Sequence, residues 1–525
     1  MIEFAVDAPI VSLLACVYAA AITVLATYGL NLLWMSIRKA LTIKEERAFR
    51  PCLLQDADLP TVTVQLPLYN ERYLVERLID AAAALAYPRE KLEIQILDDS
   101  TDDTSELAAA RGAYWRSRGT NVRHLPRPTR SGYKAGALQE GLRSAAGEFV
   151  AIFDADFLPP PDFLLRLLPL FDAERIGMVQ ARWEHLGLEG SWLKRVQAYG
   201  LDTHFELEQW VRSRCGLFMN FNGTAGIWRR EAIVDAGGWS SGTLAEDVDL
   251  SYRAQLRGWT FRYAPDVQVP AELPADMNAV RIQQFRWKKG TAEVAVGVLG
   301  RLLTSGESVH RKLQGTLHLS SGLIFPALLA VTLLHAPVML SGLGSGVDPL
   351  RYAWAGLGLM GLAGFVTGRL SARRTRHARL EGRDSRSASR PGRAGRALIL
   401  PLFLVATMGI ALSNSIAVLE GLFGRRTPFV RTPKYPSEGL RKESDYRVAA
   451  FPTIGWFEVV LFLYSLGALV ALARAELWSA IPFQVAFAAG FGLITLANFD
   501  VASRRREGLF ALDDISAAAA PDSCA

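Results

Sequence analysis

The chain has 525 residues, 50% hydrophobic and 21% charged, with a mean hydropathy of +0.15, a composition that excludes a disordered chain or a polar nucleic-acid-binding tail. Its formal net charge of +6 is unevenly placed: Arg373 to Arg396 holds nine arginines against Glu381 and Asp384, so the rest is close to neutral. A basic block between apolar runs reads as a cytoplasmic loop of a membrane protein, and no nucleic-acid partner is expected.

In chain order, Pro9 to Met35 is apolar for more than the roughly 20 residues that a spanning helix needs, and Arg38, Lys39 and Lys44 follow it. No basic residue precedes the run and it is too long for a cleavable signal peptide. The positive-inside rule then places the start of the chain outside and everything after Arg38 in the cytoplasm.

From about Thr42 to Lys312 short β-rich runs alternate with helical stretches. Thr61 to Leu68, Leu92 to Leu97, Asn121 to Leu125, Glu148 to Phe153 and Ile176 to Ala181 read as strands; Val75 to Leu85, Asp103 to Ser117 and Ala135 to Ala145 read as the helices between them. The alternation predicts an α/β domain with a mainly parallel sheet, whose chemistry belongs at the carboxyl ends of the strands. Acidic residues gather there: Asp98 and Asp99 close the second strand, and Asp154 and Asp156 the fourth. In an extended chain a spacing of two turns both carboxylates to one side, an arrangement suited to Mg2+ or Mn2+ shared with phosphate oxygens. Glu246 and Asp247 open a helical stretch, where the helix dipole favours carboxylates. Further on, Gln283, Arg286 and Trp287 fall at i, i+3 and i+4 on one helix face, able to meet a diphosphate and a sugar ring or to lie on the membrane surface.

Further apolar runs cover Gly315 to Leu343, Arg351 to Leu370, Leu398 to Phe423, Phe451 to Ala473 and Leu477 to Asn498. The loop Arg425 to Arg447 is also basic, so both basic loops lie inside only if one run does not cross. Leu398 to Phe423, interrupted by Ser413, Asn414, Ser415 and Glu420, is the weakest. It is expected as an interfacial or re-entrant helix, leaving five spans. The scattered Cys16, Cys52, Cys215 and Cys524 support neither a disulfide framework nor a zinc site.

The ordered set Tyr69-Asn70-Glu71, Asp98-Asp99-Ser100, Gly132-Tyr133-Lys134-Ala135-Gly136-Ala137, Asp154-Ala155-Asp156, Phe221-Asn222-Gly223-Thr224, Ala245-Glu246-Asp247 and Gln283-x-x-Arg286-Trp287 resembles the processive family 2 glycosyltransferases of the cellulose synthase superfamily. Val179-Gln180-Ala181-Arg182-Trp183 and the run Phe221 to Arg229 are most similar to the cellulose-synthase-like mannan, glucomannan and xyloglucan-backbone synthases and their bacterial relatives. Phe429-Val430-Arg431-Thr432-Pro433-Lys434 resembles the family's gating loop. The base motif departs from many cellulose synthases in having Ala245 where they have Thr, and the extra N-terminal helices and regulatory domain of the bacterial cellulose synthases have no counterpart.

The resemblance implies a cytoplasmic GT-A domain, of the nucleotide-diphospho-sugar transferase kind, over residues 42–312. A transmembrane helix (1–41) precedes it, and a channel region (313–500) and a tail (501–525) follow. It implies that Tyr69, Glu71, Asp98 and Asp99 hold the nucleoside, that Lys134, Gln283 and Arg286 meet the diphosphate, and that Asp154 and Asp156 bind the donor and a Mg2+ or Mn2+ ion. Asp247 is then the general base. Phe221, Asn222, Gly223, Thr224, Glu246 and Trp287 position the acceptor, and Phe429, Arg431, Thr432 and Lys434 form the gating-like loop. The expected reaction is an inverting transfer from UDP-glucose or GDP-mannose to a growing β-linked polysaccharide that is then secreted. The expected partners are the donor, the acceptor and membrane lipid; the sequence says nothing of accessory export subunits. A glycolipid-forming transferase is the enzymatic alternative. A nucleotide-binding transporter is a remote one, since there is no P-loop and no repeat among the spans.

Overall fold

Seven strands form one sheet in the order β3-β2-β1-β4-β6-β5-β7. They are β1 (Val62–Leu68), β2 (Leu92–Asp98), β3 (Asn121–Pro126), β4 (Phe149–Ile152), β5 (Ile176–Leu186), β6 (Gly226–Arg229) and β7 (Thr260–Glu272). This computed structural model describes residues 8–42, 58–341, 349–381, 393–425, 427, 430–432 and 452–518. The central strands are buried on both faces, as parallel strands covered by helices must be. Polar residues pair across the ladder: Thr63 Oγ1 donates to Glu93 at 2.7 Å, and Gln65 Nε2 to Gln95 Oε1 at 3.0 Å.

The five expected strands and three expected helices are present, the helices as Val75–Ala83, Thr104–Arg116 and Tyr133–Ser144. Strand β6 runs antiparallel to both β4 and β5, while β5 and β7 are parallel. The order reverses between β1 and β4, which opens a crevice above their carboxyl ends.

Among the described residues four helices are long and apolar enough to cross a membrane: Pro9–Thr42, Ser321–Leu340, Thr453–Arg474 and Ile481–Phe499. The expected span Arg351 to Leu370 lies in the helix Pro349–Glu381, which is not one of these four. That helix still lies along the first helix, with backbones close enough that a Cβ on Gly29 would overlap the Gly361 carbonyl. Leu398–Gly409 and Ala411–Leu422 form a pair bent by 53°, a geometry shared by a broken span and a re-entrant loop. Most of the two basic loops lies outside the described residues, as do Cys52 and Cys524.

The long helix Met277–Thr304 joins the sheet domain to the apolar helices. Arg281 donates to both Glu458 carboxylate oxygens at 3.0 and 2.8 Å, and to Asn498 Oδ1 at 3.2 Å. Buried Lys289 reaches Glu420 at 3.2 Å and Thr427 Oγ1 at 2.5 Å. Gly421 crosses this helix at a point where a Cβ would lie 2.6 Å from the Lys289 carbonyl.

Candidate active site

The turns that follow β1, β2 and β4 meet the start of the Tyr133–Ser144 helix in one pocket. Tyr69, Glu71, Asp99, Arg130 and Lys134 line it, with Asp154, Asp156, Arg286, Arg431 and Thr432. Residues from six of the motifs, spread over more than 350 positions, therefore converge on one crevice.

The two carboxylates after β4 do not sit on an extended segment as expected. Phe157 N donates to the Asp154 carbonyl at 3.0 Å, closing a turn over residues 154–157. The turn still delivers both side chains to the pocket. Asp154 Oδ1 pairs with Lys134 Nζ at 2.5 Å, Asp154 N donates to Thr224 Oγ1 at 2.9 Å, and Asp156 is buried. Among the described residues no group of three or more His, Cys, Asp or Glu side chains is placed to hold a metal by itself. Two hard carboxylates beside a diphosphate-sized pocket suit a cation that takes its remaining ligands from phosphate and water.

The paired acids after β2 separate in role. Asp99 lines the pocket and receives Arg127 Nε and Nη2, both at 2.6 Å. Asp98 turns inward, where burial would raise its carboxyl, but His124 at 2.9 Å together with Ser105 and Ser100 brings it down to about 2. It serves the loop and not the crevice. Arg130, which the motifs did not single out, lays its guanidinium 3.3 Å from the Tyr69 ring centroid. Its position, on the β3 to Tyr133–Ser144 loop at a strand's carboxyl end, was the available signal.

Deep in the pocket Lys134 collects charge. Besides Asp154 it lies 3.9 Å from Glu246, and it donates to the Gly223 carbonyl at 2.9 Å. Burial opposes its charge, but Asp154, Glu246 and Asp247 outweigh that and raise its pKa. Asp247, in the first turn of the helix Glu246–Leu256, behaves oppositely. Burial first and Glu246 second push its carboxyl from 3.8 up to about 7, against the attraction of Lys134. A carboxylate poised near neutrality in a cleft suits proton abstraction.

Gly223 brings the Phe221 to Thr224 loop against this acid. Its φ is +78°, and a Cβ there would sit 3.1 Å from Asp247 Oδ2 and 3.4 Å from Lys134 Nζ. β5 shapes the loop: Gln180 Nε2 donates to the Thr224 and Ala225 carbonyls at 3.0 and 2.9 Å, and its Oε1 accepts from Asn222 N at 3.0 Å. The Gln180 and Phe221 motifs are thus two halves of one hydrogen-bonded unit.

Phe221 corrects an expectation. It is fully buried among Trp228 and Trp239, at ring distances of 5.7 and 6.4 Å, so it props the loop from the core side and cannot touch an acceptor. Thr224 is also buried, engaged by Asp154 N. Gln283 is buried and does not line the pocket, whereas Arg286 does, donating to Thr432 Oγ1 at 3.1 Å. Trp287 shares the helix of Arg286 but does not line the pocket. Arg431 closes the crevice by pairing with Glu71; Phe429 and Lys434 lie outside the described residues.

Residues 60–290 match the family model described as "Glycosyltransferase like family 2". Over 246 residues the chain is 48% identical to glucomannan 4-beta-mannosyltransferase 2 of Arabidopsis thaliana, covering 46% of each chain. Over 301 residues it is 41% identical to glucomannan 4-beta-mannosyltransferase 1 of Oryza sativa subsp. japonica, covering 54% of this chain and 58% of the relative. The chain thus spans about half the length of the curated relatives it matches. A mannosyltransferase from Pyrobaculum calidifontis, solved in complex with GDP-Man and Mn2+, superposes with a TM-score of 0.51 at 19% identity, over 79% of this chain and all of that one, a likeness of fold. With its mainly parallel sheet and its crevice at the strand ends, the region 60–290 is a family 2 glycosyltransferase domain similar to those of the cellulose-synthase-like glucomannan mannosyltransferases.

Proposed function

We propose that this protein is a membrane-bound, inverting glycosyltransferase that passes mannosyl units from GDP-mannose to a growing β-linked mannan or glucomannan. The observation that carries the reading is Asp247, whose carboxyl, pushed up to about 7, lies against both Lys134 and the Gly223 turn. The sugar assignment rests on the glucomannan mannosyltransferases, 48% identical over 246 residues and 41% over 301.

In this reading the donor's nucleoside lies along Tyr69, Glu71 and Asp99, and its diphosphate faces Lys134, Arg286, Asp154 and Asp156. A bound Mg2+ or Mn2+, held by Asp154 and Asp156, would supply positive charge to the leaving diphosphate. Lys134 and Arg286 stabilise the same developing charge from fixed positions. The acceptor hydroxyl enters over Gly223 and passes its proton to Asp247 as its oxygen attacks the anomeric carbon from the side opposite the diphosphate, which inverts that centre. Loss of a general base costs about 10² to 10⁴ in rate.

Four apolar helices beside the site fit a membrane-embedded enzyme, with the sheet domain on the cytoplasmic face where nucleotide sugars are found. A polyhydroxylated chain cannot cross hydrocarbon bare, so secretion would follow a path lined by these helices. The test is the incorporation of labelled mannose from GDP-mannose into polymer by membranes carrying the protein. Labelled organic-extractable lipid in place of polymer would contradict it.

A further inference from the structure

Immediately behind the acceptor loop the chain makes one turn of π-helix, His204–Gln209, between the helices Trp192–Thr203 and Trp210–Arg214. Such wide turns recur at functional sites because they rotate a side chain out of the regular helical register. Here the turn presents His204 to Asn222, the residue that precedes Gly223, with Nε2 and Oδ1 2.8 Å apart.

A network of amide groups surrounds this contact. Gln209 Nε2 donates to the Asn220 carbonyl at 2.9 Å. Asn220 Nδ2 donates to the Phe221 carbonyl and to Asn222 Oδ1, both at 3.1 Å. Asn222 Oδ1 accepts from Asn220 Nδ2, and His204 Nε2 sits between that oxygen and Gln209 Nε2, 3.2 Å away. On its other side His204 Nδ1 lies 3.3 Å from Glu208 Oε2, so the ring is held between the acceptor loop and a carboxylate. Burial alone would raise the Glu208 carboxyl, but His204, with Arg212 and His318, brings it down to about 2.

We propose that His204, braced by Glu208, is a positioning residue for the acceptor loop: it holds the Asn222 carboxamide and so fixes the Gly223 turn against Asp247. The inference rests on the glycosyl-transfer reading and adds to it a residue outside the motifs. A loop free to shift would carry the Gly223 turn away from Asp247, and small misplacements of a reacting group cost on the order of 10²-fold.

The test compares full-length wild type, His204→Ala and His204→Gln, the last of which restores a hydrogen-bonding group near the Nε2 position. For each, transfer to acceptor, release of nucleoside diphosphate by donor hydrolysis to water, and binding of the nucleoside diphosphate are measured. Hydrogen exchange across residues 219–225 is measured alongside. In His204→Ala transfer falls by about 10²-fold, while donor hydrolysis and nucleotide affinity stay within about twofold and exchange in the loop rises; His204→Gln recovers most of each. Transfer within about twofold of wild type in His204→Ala overturns the proposal. So does a parallel loss of transfer, hydrolysis and nucleotide affinity that His204→Gln does not repair. A wild type that turns over no donor sinks the glycosyl-transfer reading instead, and unchanged loop exchange in His204→Ala then still counts against the positioning role.

Discussion

Arg431 grips Glu71 with two nitrogens, Nε at 3.0 Å and Nη2 at 2.6 Å, joining residues 360 positions apart. One lies just past the first strand of the sheet and the other beyond the bent helix pair, and Thr432 beside it receives Arg286 at 3.1 Å. Two points on the loop thus hold both ends of the proposed donor crevice. Removing one partner of a largely buried ion pair leaves the other uncompensated. Arg431→Ala is therefore expected to weaken nucleotide-sugar binding about tenfold, with Arg431→Lys intermediate because a lysine lacks the fork geometry. Titration calorimetry checks this; equal affinity in Arg431→Ala would detach the loop from the donor site.

Asp247 ties activity to pH. As a base it works only when ionised, so kcat/KM should fall about tenfold per unit below pH 7 and level off above it. Asp247→Asn should abolish that limb and lower turnover by about 10² to 10⁴ with donor affinity retained. Stability should move the other way. Between the ordinary carboxyl pKa of 3.8 and about 7 the folded protein holds a proton that the unfolded chain has released, so this residue makes the fold less stable as pH rises through that window. Asp247→Asn removes the buried charge and should raise the Tm at pH 8. A lower Tm there, with activity intact, would mean that Asp247 is a structural acid.

Gly223→Ala is a test of space alone. The new methyl would stand 3.1 Å from Asp247 Oδ2 at a φ of +78°, where alanine is also strained. Transfer should drop by about 10²-fold while nucleotide affinity changes less than about threefold, a split visible in binding against turnover measurements. Loss of both together would place Gly223 in the donor site.

Much of this architecture was legible in advance. Short β-rich runs marked β1, β2 and β4, and pairs of acids marked the ends of β2 and β4, because strands buried on both faces leave little other pattern. Lys134, Asp154, Asp247, Arg286 and Arg431 were each singled out and lie in or against the crevice. What the sequence hid depends on direction. The Asp154 to Phe157 turn, the inward rotation of Asp98 and the burial of Phe221 depend on partners distant in the chain, which side-chain type does not reveal. Strand β6, only four residues long, lies between longer neighbours and shows no alternation to read. Arg130 and His204 belong to no quoted motif, and their importance comes from Tyr69 and Asn222 being brought beside them.

Arg182 offers a test of the scaffold. Its Nη1 meets Glu206 at 2.8 Å with both side chains 1% exposed, pinning β5 to the π-helical turn. Glu206→Gln leaves the guanidinium without its buried counter-charge and should cost about 3 to 5 kcal/mol. Denaturant unfolding of the detergent-solubilised protein measures it. A loss below about 1 kcal/mol would show that Glu184, 2.8 Å from Arg182, suffices as its partner.

The central claim is tested most directly by offering membranes that carry the full chain GDP-mannose, UDP-glucose and UDP-galactose separately, each labelled, and digesting the products with linkage-specific hydrolases. Label from GDP-mannose in a polymer that a β-mannan hydrolase degrades, absent in Asp247→Asn membranes, is the predicted result. No polymer from GDP-mannose, or equal polymer from the Asp247→Asn membranes, would contradict the account.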